Sequence, residues 1–457
     1  MRFHIIGIGG AGMSAIAQLL LAGGHDVTGS DSSADWPLAK LVAQAGGTVV
    51  GNFDRRNVGG ADVVIRSSAY KESHPEVVAA REAGIPVWRR QDAWAFLARG
   101  KKVVAVAGTH GKTTTTGLVF SALRAGGLDP SLLCGGELVD LGANAYSGSG
   151  EHLVIEADEY DRAFLSLSPV VAVVTNVDHD HVDVFPKRAD VEAAFHEFAR
   201  RIAPGGRLIA CADDTGSAAL ASWTRRELDA VWTSTYGTDE AAEWRILRLG
   251  LEPRSTTFEL VSPKGEATRL ELQLLGTHNA RNAAAAVAAA DSCSVAPSVA
   301  AAGIGAFAGT KRRLETLGTS GGVRVVDDYA HHPAEIRATI EAARATTTGR
   351  LIAVFQPHTP SRLAAFLSDF AAALRLADGA IVVETFSSAR EASDEGQGAR
   401  ELARLAGAFY AATNFKAARR VADIAQSGDL VLVLGAGDVR EAGQKALALL
   451  GEAAASR

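Results

Sequence analysis

Residues 105–116 read AVAGTHGKTTTT: an apolar run, a short loop holding Gly108 and Gly111, then Lys112 and four threonines. The pattern predicts a buried strand that turns through the loop into a helix, as in a doubly wound α/β unit. At such a turn backbone N–H groups point at an anion and a lysine reaches terminal phosphates. The hydroxyl after the lysine is placed to ligand magnesium. Lys112 and Thr113 hold those two positions, with Gly108, Thr109, His110, Gly111 and Thr114 around them. The stretch reads as a nucleoside triphosphate site. Its loop is shorter than the strict phosphate-loop pattern, which has glycine where Val106 stands.

Working outward, 457 residues exceed one ordinary core, and two to four domains are expected. A chain 47% hydrophobic and 21% charged has a globular composition. A formal net charge of −6 argues against a general nucleic-acid binder and leaves anion binding to local clusters. Cys134, Cys211 and Cys293 are widely spaced and odd in number, which fits a reducing compartment and neither a disulfide frame nor a zinc-ligand spacing. Ile5–Gly24 carries no charge, yet its six glycines and Gln18 predict a strand, tight turn and helix rather than a membrane segment. No membrane insertion and a cytoplasmic location are expected.

Strands are predicted at Phe3–Ile8, Asp26–Gly29 and Val63–Arg66, with helices at Met13–Ala22 and Pro75–Ala83. A second unit takes Lys101–Ala107, His152–Glu156 and Val170–Thr175 as buried strands. It turns β-like from Arg207, with Thr256–Val261 and Thr268–Leu274, and closes on the helix Asn279–Ala290. Gly309–Gly322, rich in Gly, Thr and Arg, reads as a linker. Beyond it, Leu351–Phe355, Gly379–Glu384 and Asp429–Leu434 are buried-strand signals of a third α/β unit. The expected domains are 1–100, 101–309 and 310–457.

Several constellations carry chemistry. Gly7-x-Gly9-x-x-Gly12 follows a strand and opens a helix, and Asp31 follows the next strand. That is a site for a diphosphate, with an acid placed for a ribose hydroxyl; a nicotinamide cofactor and a nucleotide sugar both satisfy it. Glu156-Ala-Asp158-Glu159-Tyr160-Asp161 begins at a strand's carboxyl end, where ligands collect in such sheets. Glu156, nearest the strand, is the expected magnesium ligand, and part of the remainder fits a solvated acidic turn. Asn176–Asp183 alternates His and Asp; His181 or His179 would supplement an oxygen-ligated magnesium. Asn279 and Asn282 share a helix face, as readers of a purine edge or as caps. Lys311-Arg312-Arg313 is either a phosphate-clamping hinge or a solvated basic linker. Asp327–Pro333 and Phe355–Arg362 stand at predicted strand ends, where a His and an Arg suit an amino-acid carboxylate.

In this order GIGGAGM, AGTHGKTTTT, EADE, TNVDHDH, GTHNARNA, KRRLE, DDYAHHPAE, FQPHTPSR and LGAGD resemble the Mur ligase family of peptidoglycan synthesis, over nearly the whole chain. The resemblance implies a Rossmann-like N-terminal domain for a UDP-sugar, a central P-loop-type ATP-binding domain and a Rossmann-like C-terminal domain for an amino acid. It implies ATP-dependent ligation of L-alanine to the carboxylate of UDP-N-acetylmuramate through an acyl phosphate, with ATP and Mg2+ required. The enzyme would be a monomer or homodimer.

By the same resemblance Lys112, Glu156, His181 and Arg313 are catalytic, and Thr113, Glu156 and His181 hold magnesium. ATP would meet Gly108–Thr114, Asn279, Asn282, Arg313 and Asp328. Gly9, Gly10, Ala11, Gly12, Met13, Asp31, Ser67 and Ser68 would take the UDP-sugar, and His331, His358 and Arg362 the amino acid. Tyr160, where relatives of the alanine-adding type carry serine, also occurs in the murein-peptide branch that joins a whole tripeptide. FQPH at Phe355–His358 resembles the alanine-adding type, and Pro360 departs from the common aromatic.

Overall fold

A computed structural model describes residues 1–386 and 397–455. Three sheets follow one another along the chain. The first is parallel, with strands Arg2–Ile6, Asp26–Ser30, Thr48–Val50, Val63–Arg66 and Val87–Arg89 in spatial order 3-2-1-4-5. Its first strand is shorter than the sequence suggests: the chain leaves it at Gly7, whose φ of +80° suits glycine, and enters the helix Ala11–Ala22.

The second sheet has ten strands. In chain order they run Lys102–Ala107, Ser131–Leu138, Ala143–Tyr146, His152–Glu156, Val171–Val174, Arg207–Cys211, Trp232–Gly237, Trp244–Leu251, Thr256–Val261 and Ala267–Leu272. Across the sheet the order is 10-9-8-7-6-5-1-4-2-3. Lys102–Ala107, apolar because both its faces are covered, lies between Val171–Val174 and His152–Glu156, parallel to each. The order reverses here, and a crevice opens beyond the strands' carboxyl ends. The helix Lys112–Ala125 leaves that end and packs against Thr277–Ser292 and Pro297–Ala306. The alanine-rich helix Thr277–Ser292 is buried along most of its length, since small side chains admit close neighbours.

The third sheet contains Glu315–Ser320, Val323–Asp328, Leu351–Phe355, Gly379–Val383, Phe409–Ala411 and Leu430–Leu434, in order 1-2-6-3-4-5. This corrects the linker expected over Gly309–Gly322. Glu315–Ser320 is an edge strand, antiparallel to Val323–Asp328 across a turn at Gly321 and Gly322, both at positive φ. A register shift at Gly318 and the polar sequence ETLGTS disguise it as loop. No helix among the described residues is long and apolar enough to cross a membrane.

Gly117 lies where the helix after the phosphate loop meets the rest of its domain. A β-carbon there would stand 2.6 Å from Phe307 Cζ and 3.1 Å from a Leu138 methyl. Gly117→Val should lower stability by about 1–3 kcal/mol through overpacking. Urea unfolding reads this; an unchanged midpoint would contradict the packing.

Candidate active site

The loop 108–111 forms because two glycines take conformations other residues avoid, Gly108 at φ +130° and Gly111 at φ +79°. At Gly108 a side chain would also collide with the Thr175 hydroxyl. The neighbouring strand end stitches the loop in place. The Asn176 carboxamide oxygen accepts the His110 N–H (2.8 Å), and the Thr175 hydroxyl donates to the His110 carbonyl (2.6 Å). Thr109 Oγ1 accepts the Asp178 N–H at 2.9 Å.

Lys112 opens the following helix and folds back over the loop, its Nζ donating to the carbonyls of Gly108 (2.6 Å) and Thr109 (3.0 Å). It also reaches Glu159 Oε2 at 2.9 Å. Burial alone would push this ammonium down; Glu159 and Asp158 hold it above its ordinary value. Asp158 is likewise kept ionised against burial, by Arg90 at 2.8 Å and by Lys112. Glu159 is 2% exposed. The acidic run is therefore not a solvated turn at Asp158 and Glu159, and Glu159 is a site residue that the sequence reading left unassigned.

The expected magnesium ligands fall into two groups. Thr113 Oγ1 donates to Glu156 Oε1 at 3.0 Å, and Gly135 N–H binds the other Glu156 oxygen at 2.7 Å. His181, at φ +51°, stands instead with Asp158 and Glu159, its Nε2 3.7 Å from Glu159 Oε1. A hydroxyl and carboxylates beside a phosphate loop are the oxygen donors that Mg2+ prefers, so these residues fit the ion.

A cleft of about 420 Å³ runs from the loop between the second and third sheets, lined by His110, Thr114, Asp213, His278, Arg281 and Asp328 among others. Asn279, Asn282 and Arg313 line it too. The two asparagines bond each other (3.1 Å), and Asn279 also donates to the Leu275 carbonyl (2.8 Å), so they share a face and close a helix start. Of the three cations at 311–313, Lys311 remains exposed, whereas Arg312 and Arg313 are partly enclosed. Lys311 pairs with Glu137, Arg312 with Asp327, and Arg313 turns toward Asp328 and Glu335, 3.9 Å from each. Asp328 accepts the amides of Leu314 and Ala330, and burial raises its carboxyl to about 6.

Arg362 is 7% exposed and grips Asp180 with two nitrogens, at 2.8 and 3.2 Å. The guanidinium assigned to an amino-acid carboxylate thus already holds a carboxylate of the central domain. His331 lies between the Tyr329 carbonyl (2.9 Å) and Glu335 (3.3 Å), and burial lowers it to about 3. His358 stacks on Phe386 at 5.6 Å.

At the first sheet, Asp31 takes the Gly9 N–H (2.8 Å) on one oxygen and the Ser32 N–H (2.7 Å) on the other. Its carboxylate organises the turn, where the fingerprint expects it to face a ribose. Gly10 and Met13 continue the turn into the helix, with Ala11 and Gly12 between them. Ser67 sits across from Gly7, its N–H on the Ile6 carbonyl, and Ser68 follows. Asn144, fully buried and also unassigned from sequence, donates to the Ala11 carbonyl (2.8 Å) and accepts from Gln18 (2.8 Å), joining central sheet to first helix. Neither role has a local sequence signal, because each depends on contacts remote along the chain.

His278 borders the cleft, and burial with Arg313 and Arg281 nearby lowers it from 6.5 to about 4. Between pH 6.5 and 4 the unfolded chain binds this proton and the folded one resists it, so stability falls as pH falls. His278→Gln should make that decline shallower in denaturant titrations; an identical slope would contradict the assignment.

Comparisons with known proteins place this geometry. The model described as "Mur ligase family, catalytic domain" matches residues 2–102, "Mur ligase middle domain" 106–290, and "Mur ligase, glutamate ligase domain" 312–437. The UDP-N-acetylmuramate--L-alanine ligase of Paenarthrobacter aurescens (strain TC1) is 43% identical over 98% of this chain and 97% of its own. The UDP-N-acetylmuramate-alanine ligase MurC from Thermotoga maritima superposes over all of both chains with a TM-score of 0.83 at 26% identity. A murein peptide ligase from Psychrobacter arcticus 273-4 matches over 99% of both chains with a TM-score of 0.75, also at 26% identity.

Proposed function

The chain belongs to the Mur ligase family, and on that premise we propose that it joins L-alanine to the carboxylate of UDP-N-acetylmuramate at the expense of ATP. The observation that carries this reading is Lys112, buried over a glycine loop at the point where the central sheet's strand order reverses. The L-alanine acceptor is favoured by the 43% identity to a relative of that name across nearly both full lengths.

A carboxylate is a poor acyl donor at neutral pH. Its oxygen attacks the γ-phosphorus of ATP, the bond to ADP breaks, and an acyl phosphate forms. The deprotonated amine of L-alanine then attacks the acyl carbon, the C–O bond to phosphate breaks, and an amide remains. Two anions approach in the first step, so cations must surround them. Lys112 at the loop and Arg313 on the cleft lining would supply that charge, and the amides of Gly108–Thr114 would orient the phosphates. Thr113 and Glu156 would hold Mg2+, with His181 on the Asp158 and Glu159 side of the loop, and the ion when bound would offset charge on the phosphate oxygens. Asn279, Asn282 and Asp328 bind the rest of ATP. Gly9–Met13, Asp31, Ser67 and Ser68 hold the UDP end, and His331, His358 and Arg362 the amino acid. Residues 1–100, 101–309 and 310–457 divide the three tasks, and a cytoplasmic location agrees with three free cysteines.

Phosphate release should require UDP-N-acetylmuramate and L-alanine together; faster release with a tripeptide would assign the chain to the murein-peptide branch, and release with neither would mark a nucleotide switch. Lys112→Ala should lower turnover by about 10²–10³-fold with the fold intact, and near-normal turnover would defeat the assignment. Arg362→Lys keeps a cation beside Asp180 but loses the two-pronged grip. It should raise the KM for L-alanine more than that for ATP, and equal shifts would remove Arg362 from the amino-acid site.

A further inference from the structure

Apart from the oxygen-rich group at Glu156–Glu159, a second set of ligating side chains gathers where the phosphate loop meets the third domain. One ligand atom each of His110, Asp178 and His332 lies within 4.8 Å of the other two. The two imidazoles stand 4.5 Å apart, centroid to centroid. Nε2 of each ring is buried and meets no hydrogen-bond partner, and His332 is 4% exposed. A buried polar atom left unpaired is costly, and here two such atoms face one neighbourhood. A single shared ligand would satisfy both.

We propose that His110, Asp178 and His332 form a binding site for one divalent transition-metal ion of the zinc, cobalt or nickel class, clamping the phosphate loop to the third domain. Two imidazoles and a carboxylate, with water in the fourth position, are a tetrahedral donor set for such ions; Mg2+ prefers oxygen throughout.

The surroundings support each ligand. The backbone of His110 is fixed by Asn176 and Thr175. Its Nδ1 faces Glu335 Oε1 at 3.4 Å, an outer carboxylate of the kind that orients a metal-bound imidazole. Asp178 Oδ1 accepts the His179 N–H, which leaves Oδ2 3.9 Å from His110 Nε2. The Asp178 side chain is 38% exposed, giving an entry path and room for water. His332 caps the helix Pro333–Arg344, and its Nδ1 accepts the Ala334 N–H only at 3.4 Å. That weak bond yields when Nε2 takes the ion and Nδ1 carries the proton. Metal–nitrogen distances near 2.0–2.1 Å require the donors to draw in by about 1 Å, within reach of side-chain rotation. The ion replaces any proton on Nε2, so binding weakens as pH falls.

The test uses the full chain without a histidine tag, in excess Mg2+, titrated with Co2+ by visible absorption and with Zn2+ by calorimetry. One equivalent of Co2+ should give tetrahedral ligand-field bands that Zn2+ abolishes. His332→Ala and, at a half-exposed position that leaves the fold undisturbed, Asp178→Asn should each weaken binding at least tenfold, while His181→Ala keeps it. Absent bands, undiminished affinity in both first variants, or loss through His181→Ala would overturn the proposal. Because the metal is read directly, its failure leaves the ligase reading standing.

Discussion

A lysine buried beneath a loop of carbonyls needs negative charge within reach, and the whole arrangement of this molecule answers to that need. Lys112 is held by two loop carbonyls and by Glu159, itself buried. Burial already raises the Glu159 carboxyl, so without Lys112 it would take a proton rather than remain a stranded charge. Glu159 places a carboxylate on Lys112 at the mouth of the loop. The strand Lys102–Ala107 fixes where this happens, because its neighbours diverge beyond its carboxyl end.

The same acidic strand ends tie the three sheets together. Asp158 holds Arg90 beside the first sheet, Asp180 holds Arg362 from the third, and His110 meets Glu335 from the third. Asn144 fastens the central sheet to the helix that opens the glycine turn. Each of the other two units is therefore joined to the strand ends around the loop 108–111. The catalytic consequence is orientation: three reactants must be held within bond-forming reach, and interdomain ion pairs set that reach.

Much of this was legible in the sequence because it is local. Apolar runs between turn residues located His152–Glu156, Val63–Arg66 and Leu351–Phe355 with their observed bounds. Gly108, Gly111 and Lys112 announced the phosphate loop, since few other residues tolerate its conformation. What stayed hidden was non-local or disguised. Arg362 and Asp180 lie 182 positions apart, and nothing near either names the other. Glu159 reads as one more acid in a run until Lys112 is seen on it. Glu315–Ser320 is an edge strand whose glycine and hydroxyl residues match a loop in composition. Asp31 followed the fingerprint in position, yet the turn it organises takes both its oxygens.

The central claim is that a carboxylate on the sugar is activated by phosphoryl transfer before the amine attacks. It is tested most directly by labelling that carboxylate with oxygen-18 and analysing the inorganic phosphate released during turnover with L-alanine. The account predicts one labelled oxygen in each phosphate formed from labelled acid. Phosphate carrying no label, with amide formed at the normal rate, would contradict it.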